Sequence, residues 1–261
     1  MPDIKKIAIA QTSAKPKDLD YNTGKVIRII RENKDADLIL FPELVLQGHH
    51  HKPSKEYDSQ SIDVGTLERI QEVCKECMAA TVVGALEVIE GKHYNCAFYI
   101  DENKVDRYIK THVHWTEEFT PGDQLRCINT RIGKLGMLIC FDSAFTEMGR
   151  CLALMGAKVF AVIGVVPTEF NEKYMTRRLQ AMATDNQVFV LYANKWKKDV
   201  YNGGSCIIGP RGSIIKQLGD GEGILRAEID MDDVDSWREE EKIYRCRRPE
   251  LYGKILEKGE I

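Results

Sequence analysis

The sequence predicts one α/β domain in which helices cover the outer faces of two sheets. Three observations support this. Short apolar runs of strand length alternate with amphipathic stretches of helical period. The alternation comes in two rounds, each of which also holds adjacent strand pairs, and that suits layers better than a barrel. No repeat and no linker rich in Pro, Gly and Ser divides the 261 residues, a length that α/β folds often reach as a single unit. The order of strands within the sheets is not readable from the pattern.

Taken in order, residues 4–11 read as the first strand. Residues 21–33 carry a helical stripe at Val26, Ile27 and Ile30, and 38–41 form a short buried strand. A polar loop over 48–59 leads to a helix over 66–79. Strands at 81–87, 94–100 and 104–109 form a meander, with turns supplied by Glu90-Gly91-Lys92 and Glu102-Asn103. The second round runs strand 135–140, helix 142–155, strand 159–166, helix 171–186 and strand 188–193. Three further strands, 204–208, 213–217 and 223–228, complete the sheets. Between the last two, Gly219-Asp220-Gly221-Glu222-Gly223 lacks the strand-to-helix context of a phosphate-binding loop and reads as a tight hairpin turn. Residues 1–230 form the domain. The extension over 231–261 has Arg and Glu clusters and the lone aromatics Trp237, Tyr244 and Tyr252. It reads as too polar for core, and its aromatic spacing suits docking onto a partner subunit.

Composition narrows the function. With 37 Lys+Arg against 40 Asp+Glu and a formal charge of −3, a basic nucleic-acid binder is ruled out. With 43% hydrophobic residues the chain can bury a sizeable core. The apolar run over 159–166 is far short of the ~20 residues that cross a membrane. The start, Met1-Pro2-Asp3-Ile4-Lys5-Lys6, is too short for a signal h-region, so a cytoplasmic protein with reduced thiols is expected. Cys74-x-x-Cys77 lies in a helical pattern without a second pair at zinc spacing. The adjacent histidines His49-His50-His51 would point in different directions, so they read as a loop near an entrance rather than a metal site. No metal and no cofactor is expected.

Three reactive side chains stand where strands end, which is where α/β proteins place their sites. Glu43 follows Leu-Ile-Leu-Phe-Pro, Lys110 follows Val-Asp-Arg-Tyr-Ile, and Cys140 follows Gly-Met-Leu-Ile. Cys140 also precedes Phe-Asp-Ser-Ala-Phe-Thr-Glu, a strand, turn, helix order like that of a nucleophile elbow, with the Phe141 amide available to an oxyanion. Each residue alone has a bland alternative: a capping carboxylate, a surface lysine, a buried structural thiol. Together they are a complete set. A thiol must lose its proton to attack, a carboxylate walled by apolar groups can take it, and a cation can face the tetrahedral oxyanion.

At these positions the chain resembles the nitrilase superfamily of carbon–nitrogen hydrolases, whose catalytic triad is Glu, Lys and Cys. The resemblance runs from about residue 7 to 230 and rests on Leu40-Phe41-Pro42-Glu43-Leu44, Tyr108-Ile109-Lys110-Thr111-His112 and Ile139-Cys140-Phe141-Asp142-Ser143-Ala144-Phe145-Thr146-Glu147. Tyr94-Asn95, Phe119-Thr120-Pro121-Gly122-Asp123, Ala183-Thr184-Asp185-Asn186, Gly203-Gly204-Ser205 and Pro210-Arg211-Gly212 support it. It implies a four-layer αββα sandwich that packs as a homodimer or higher oligomer. Glu43 would be the general base, Cys140 the nucleophile and Lys110 the oxyanion stabiliser. The family's further glutamate would be Glu117, with Glu118 competing, and Phe141, Phe145 and His49 would touch substrate. Ile109, Val113 and Thr146 depart from the family's usual Arg, Leu and Pro without touching the triad. Phe141, where nitrilases carry Trp, favours amides over nitriles.

The implied activity is hydrolysis of a small amide, aliphatic or ω-amide, through a Cys acyl-enzyme. The alternatives are an N-carbamoyl amine or amino acid and, third, a nitrile. A silent binding or scaffold protein on the same fold would be marked by a lost Cys or Lys, and neither is lost. A redox sensor would use Cys74 and Cys77. Arg177 and Arg178 are candidates to clamp a substrate carboxylate.

Overall fold

Side chains on a strand alternate between two faces, and this sorts the chain into layers. The computed structural model describes residues 2–48, 52–53, 55–171 and 173–257. In it β1 (Ile4–Gln11) turns Ile7 and Ile9 into the core between two sheets and Ala8 and Ala10 toward helices on the other side. β1 belongs to a six-stranded sheet with β2 (Leu38–Leu40), β3 (Ala80–Ile89), β4 (Lys92–Ile100), β5 (Val105–Ile109) and β14 (Gly223–Asp230), in the order β14-β1-β2-β3-β4-β5. The second six-stranded sheet holds β6 (Cys127–Thr130), β7 (Gly133–Ile139), β8 (Val159–Gly164), β9 (Phe189–Asn194), β12 (Cys206–Ile208) and β13 (Ile214–Gln217), in the order β13-β12-β9-β8-β7-β6. A small hairpin, β10 (Trp196–Lys197) with β11 (Tyr201–Asn202), stands apart.

The middle of each sheet is parallel, β1-β2-β3 in one and β7-β8-β9 in the other, with antiparallel strands outside. Helices α1 (Leu19–Glu32) and α2 (Val64–Cys77) cover the first sheet with Val26, Ile29, Ile30, Ile70, Val73 and Cys74. Their starts are fixed by Asp18, which accepts from the Tyr21 N–H at 3.1 Å, and Asp63, which accepts from Thr66 at 2.7 Å. Helices α3 (Thr146–Leu154) and α4 (Lys173–Asn186) cover the second sheet with Met148, Leu152, Met175, Leu179 and Met182. The result is the four-layer αββα sandwich. Among the described residues no helix is long and apolar enough to cross a membrane.

Four expectations change. The helix expected over 142–155 is two pieces: a 3₁₀ turn at Cys140–Ala144 and then α3, broken at Phe145, whose backbone is extended (φ −101°, ψ 103°). The four-residue edge strand β6 has too little periodicity to read. Residues 218–222 are not a hairpin, because β13 and β14 lie at the edges of different sheets. The crossover is held by Gln11, whose amide donates to the Gly219 and Gly221 carbonyls at 2.7 Å each and accepts from Ser205 N–H at 2.9 Å. Gly203, at φ 64°, lies so close that a Cβ would stand 2.8 Å from the Gln11 amide nitrogen. Last, the extension is not all polar surface. In α5 (Asp232–Glu240) Val234 is fully buried in this chain's own core, and Tyr244 donates to the Asn186 carbonyl at 2.6 Å.

Candidate active site

Parallel strands bring their C-terminal ends to one edge, and the site is built there. After β2 the chain turns at Phe41-Pro42, and Leu44 takes a left-handed conformation (φ 47°). Gly84 on β3 makes room: a Cβ there would lie 2.5–2.7 Å from the backbone of Pro42, Glu43 and Leu44. Glu43 is thereby fully buried, and its Oε1 accepts from Asn95 of β4 at 2.7 Å. Its Oε2 is buried without a hydrogen-bond partner among the described residues.

Lys110 ends β5. Its backbone N–H donates to the Asn95 carbonyl at 2.9 Å, and the Lys110 carbonyl accepts from Gly122 N–H at 2.8 Å. A Cβ on Gly122 would lie 2.6 Å from the Ile109 carbonyl oxygen, which explains the glycine after Pro121. The Lys110 side chain is fully buried, and its Nζ donates to Glu43 Oε1 at 3.0 Å and to Glu117 Oε2 and Oε1 at 2.8 and 3.1 Å. Glu117 is therefore the second carboxylate on Lys110. Glu118 faces outward, paired with Lys52 at 2.7 Å with its side chain 61% exposed.

Cys140 ends β7 at φ 48°, a left-handed conformation that costs a non-glycine residue about 1–3 kcal/mol and is found at strand-to-helix elbows. Its Sγ points to the Val165 carbonyl at 3.9 Å, beyond β8. The elbow is fixed by fully buried Asp142. Its Oδ2 accepts from Ile139 N–H and Tyr108 O–H at 2.8 Å each, and its Oδ1 accepts from His112 N–H at 2.9 Å and Thr111 O–H at 3.2 Å. Asp142 thus ties the lysine segment of the first sheet to the cysteine elbow of the second. Because the 3₁₀ turn is only five residues and α3 starts at Thr146, the sulfur does not lie at the start of a long helix whose dipole would favour the thiolate.

Burial, and next the Glu43 charge, push the Cys140 thiol well above its ordinary pKa against the pull of Lys110, so the resting group is a thiol. Burial alone would lower the Lys110 ammonium. The charges of Glu43 and Glu117 outweigh it and hold the group above its usual value. Burial and then Glu43 raise the Glu117 carboxyl, opposed by Lys110.

The thiol opens into a cleft of about 700 Å³, lined by Phe141, Trp115, Val165, Val166, Phe170 and Met175 with Glu169 and Arg178 among the polar groups. Arg178 thus reaches the cleft, whereas Arg177 lines a separate groove with Lys173. Phe145 is not among the lining residues. It stacks on His112 at 3.8 Å behind Phe141, which it meets edge-on at 5.2 Å. His49 lies outside the described residues. Cys74 is buried under the first sheet with its thiol pushed up to about 12 by burial, the state of a packing residue. The sequence placed Asp142 and Asn95 within matched motifs without giving either a role, and it did not single out Lys195. Lys195 was detectable by the rule that found the triad, since it directly follows the wholly buried β9.

Compared with known proteins, residues 6–239 match the family model described as carbon-nitrogen hydrolase. The chain belongs to this family. The carbon–nitrogen hydrolase is 28% identical to an (R)-stereoselective amidase of Pseudomonas sp, over 97% of this chain and 94% of that protein. It is 30% identical to an N-carbamoylputrescine amidase of Solanum lycopersicum, over 92% and 91%. The crystal structure of an amidase from Nesterenkonia sp. superposes with a TM-score of 0.79 at 25% identity, covering 97% of this chain and 96% of that one. The carbon–nitrogen hydrolase is therefore an enzyme that acts on carbon–nitrogen bonds, with amidase-type relatives.

Proposed function

We propose that this enzyme is a thiol amidohydrolase of small-molecule amides, aliphatic or ω-amide, working through Cys140, Glu43 and Lys110. One observation carries the reading: a fully buried ammonium, Lys110, joins two carboxylates beside a thiol at the base of a cleft. The Cys140 sulfur attacks the amide carbonyl carbon while its proton passes to Glu43, whose Oε2 is an unengaged acceptor. The oxyanion faces the Lys110 ammonium and the Phe141 N–H, one of the first amides of the 3₁₀ turn and so without an intrahelical partner. Glu43 returns the proton to the nitrogen, the C–N bond breaks, and ammonia leaves. Water then attacks the thioester, giving its proton to Glu43, and the carboxylic acid departs as the thiol is restored. Glu117 holds Lys110 from the far side.

A second reading, hydrolysis of an N-carbamoyl amine, draws on the N-carbamoylputrescine amidase relative and on Glu169, a carboxylate in the cleft wall that suits an amine tail. The attack is the same. The products are carbon dioxide, ammonia and the amine. The segments Pro249–Leu251 and Gly253–Leu256, with Leu256 90% exposed, supply apolar contacts for a homo-oligomer, and the reduced thiols suit the cytoplasm. The test is ammonia release over short aliphatic amides, ω-amides, N-carbamoyl amines and nitriles, with Cys140→Ala as control. Turnover that survives in Cys140→Ala overturns the mechanism, and preference for a nitrile overturns the substrate class.

A further inference from the structure

We propose that Lys195 is a positioning residue for the general base, reaching across the gap between the sheets to hold the Glu43 turn in register with Cys140. This rests on the roles proposed for Glu43 and Cys140. Those two residues sit on different sheets, so their spacing depends on ties between the layers. Asp142 provides such a tie for the Lys110 segment. The Glu43 turn is fixed to its own sheet by Phe41 N–H on the Val82 carbonyl, Leu46 N–H on the Gly84 carbonyl, and Asn95. From the second sheet it receives Lys195 Nζ, which donates to the Leu44 carbonyl at 3.1 Å.

The far end of that tie is itself tied to the nucleophile. Lys195 N–H donates to the Gly164 carbonyl at 3.3 Å, and its neighbour Asn194 accepts from Val166 N–H at 3.1 Å. Between Gly164 and Val166 stands Val165, whose carbonyl faces the Cys140 sulfur. Lys195 is 1% exposed, and a buried ammonium is expensive where an apolar side chain would pack freely. Its charge also has a use. Among the described residues Lys110 is the cation that ion-pairs with Glu43 and Glu117, and the Lys195 ammonium is a second positive group within reach of the Glu43 charge. The groups that feel the Glu43 charge are Lys110 after β5, Glu117 in the following loop, Cys140 after β7, Tyr192 and Lys195 at the end of β9, and Tyr201 on β11. Burial pushes the Lys195 ammonium down to about 7, with the Glu43 charge acting against it.

The test is the rate at which iodoacetamide alkylates Cys140, mapped by peptide mass from acidic to alkaline pH, in the full-length wild type, Lys195→Met and Lys195→Gln, together with melting temperature. Lys195→Met should slow the reaction by about tenfold, equivalent to about 1.4 kcal/mol. It should also move the acidic limb to higher pH, because a carboxyl that loses a neighbouring cation keeps its proton longer. Its melting temperature should be unchanged or higher. Lys195→Gln keeps a donor without the charge, so part of the rate should return while the limb stays displaced. Wild-type rates and limbs in both variants overturn the proposal. So does a slower rate that tracks a fall in melting temperature with the limb unmoved, the mark of a merely structural residue. If wild-type Cys140 reacts no faster than exposed Cys246, the assignment of the nucleophile falls, and this inference with it.

Discussion

Asn in place of Asp142 is the substitution that most directly tests how the two sheets share one site. The carboxylate has two oxygens, each accepting one backbone N–H: Ile139 on Oδ2 at 2.8 Å and His112 on Oδ1 at 2.9 Å. An amide has one oxygen. Whichever way it turns, one buried N–H is left facing an NH₂ group, while the hydroxyls of Tyr108 and Thr111 can rotate to accept. The orphaned N–H costs about 1–3 kcal/mol, and the retained bonds fall from charge-assisted to neutral, about 1 kcal/mol each. Relief of the buried charge offsets part of this, leaving a net loss of about 3 kcal/mol. For a domain of this size that is roughly 6–12 °C of melting temperature. Lys110 lies inside the detached segment, so turnover measured well below the melting transition should also fall by about tenfold or more, as a misplacement of ~1 Å would produce. Thermal melts and amide turnover on Asp142→Asn check both parts. A folded variant with wild-type turnover, or a melting temperature that does not move, would refute the idea that Asp142 ties the lysine segment to the elbow.

Glu43→Gln keeps the shape and removes the base, so turnover should drop by about 10²–10⁴. Steady-state kinetics with unchanged KM would be the expected signature. Lys110→Met removes the oxyanion's cation and should cost about 3–4 kcal/mol in transition-state stabilisation, read as kcat/KM. Glu117→Gln should lower kcat whereas Glu118→Gln, at an exposed ion pair worth at most about 1 kcal/mol, should leave kcat and melting temperature near wild type, and equal effects would mean that Glu117 does not hold Lys110. The Lys195 ammonium titrates near 7 in the folded chain and at its ordinary 10.5 when unfolded. Between those values the unfolded chain binds more protons, so wild-type stability gains from this group as pH rises through the window, and its cost is complete below it. The melting temperature of Lys195→Met relative to wild type should therefore be most favourable at or below neutrality and fall toward alkaline pH, and a difference that moves the other way would refute the buried, depressed ammonium.

Much of this was legible because strands and catalytic side chains leave independent signals. A buried strand is an apolar run, and a charge or thiol placed directly after it has no packing reason to be there. That rule found Glu43, Lys110 and Cys140, and the resemblance supplied their roles. It would also have found Lys195. What stayed hidden depends on contacts between distant segments. Asp142 looked like part of a helix start, and only its four donors from two sheets show otherwise. The choice between Glu117 and Glu118 turns on which side of one loop faces Lys110. The crossover at 218–222 has the composition of a hairpin, since turn chemistry reports a change of direction and not which sheet the next strand joins. Phe145 has the character of a pocket aromatic but is taken up by His112.

The polar groups to which the proposed mechanism assigns the chemistry sit between two sheets whose facing surfaces are largely apolar, and this placement explains why some of them go unsatisfied. Glu43 Oε2 and Asn95 Oδ1 are buried with no hydrogen-bond partner among the described residues. A protein folded for stability alone would fill such positions, because each orphan costs free energy and offers nothing in return. In the proposed mechanism the orphan oxygen belongs to the residue that accepts a proton from the thiol, and an acceptor already engaged would be a poor base. Cys140 is held at a strained φ for a related reason: the elbow turns the sulfur out of the sheet toward the cleft. These costs are tolerated because the turns that carry them are pinned by rigid β-structure on both sides. Loosening a tie between the sheets should therefore damage reactivity before it damages the fold, whereas trimming a side chain of the apolar cores should do the reverse.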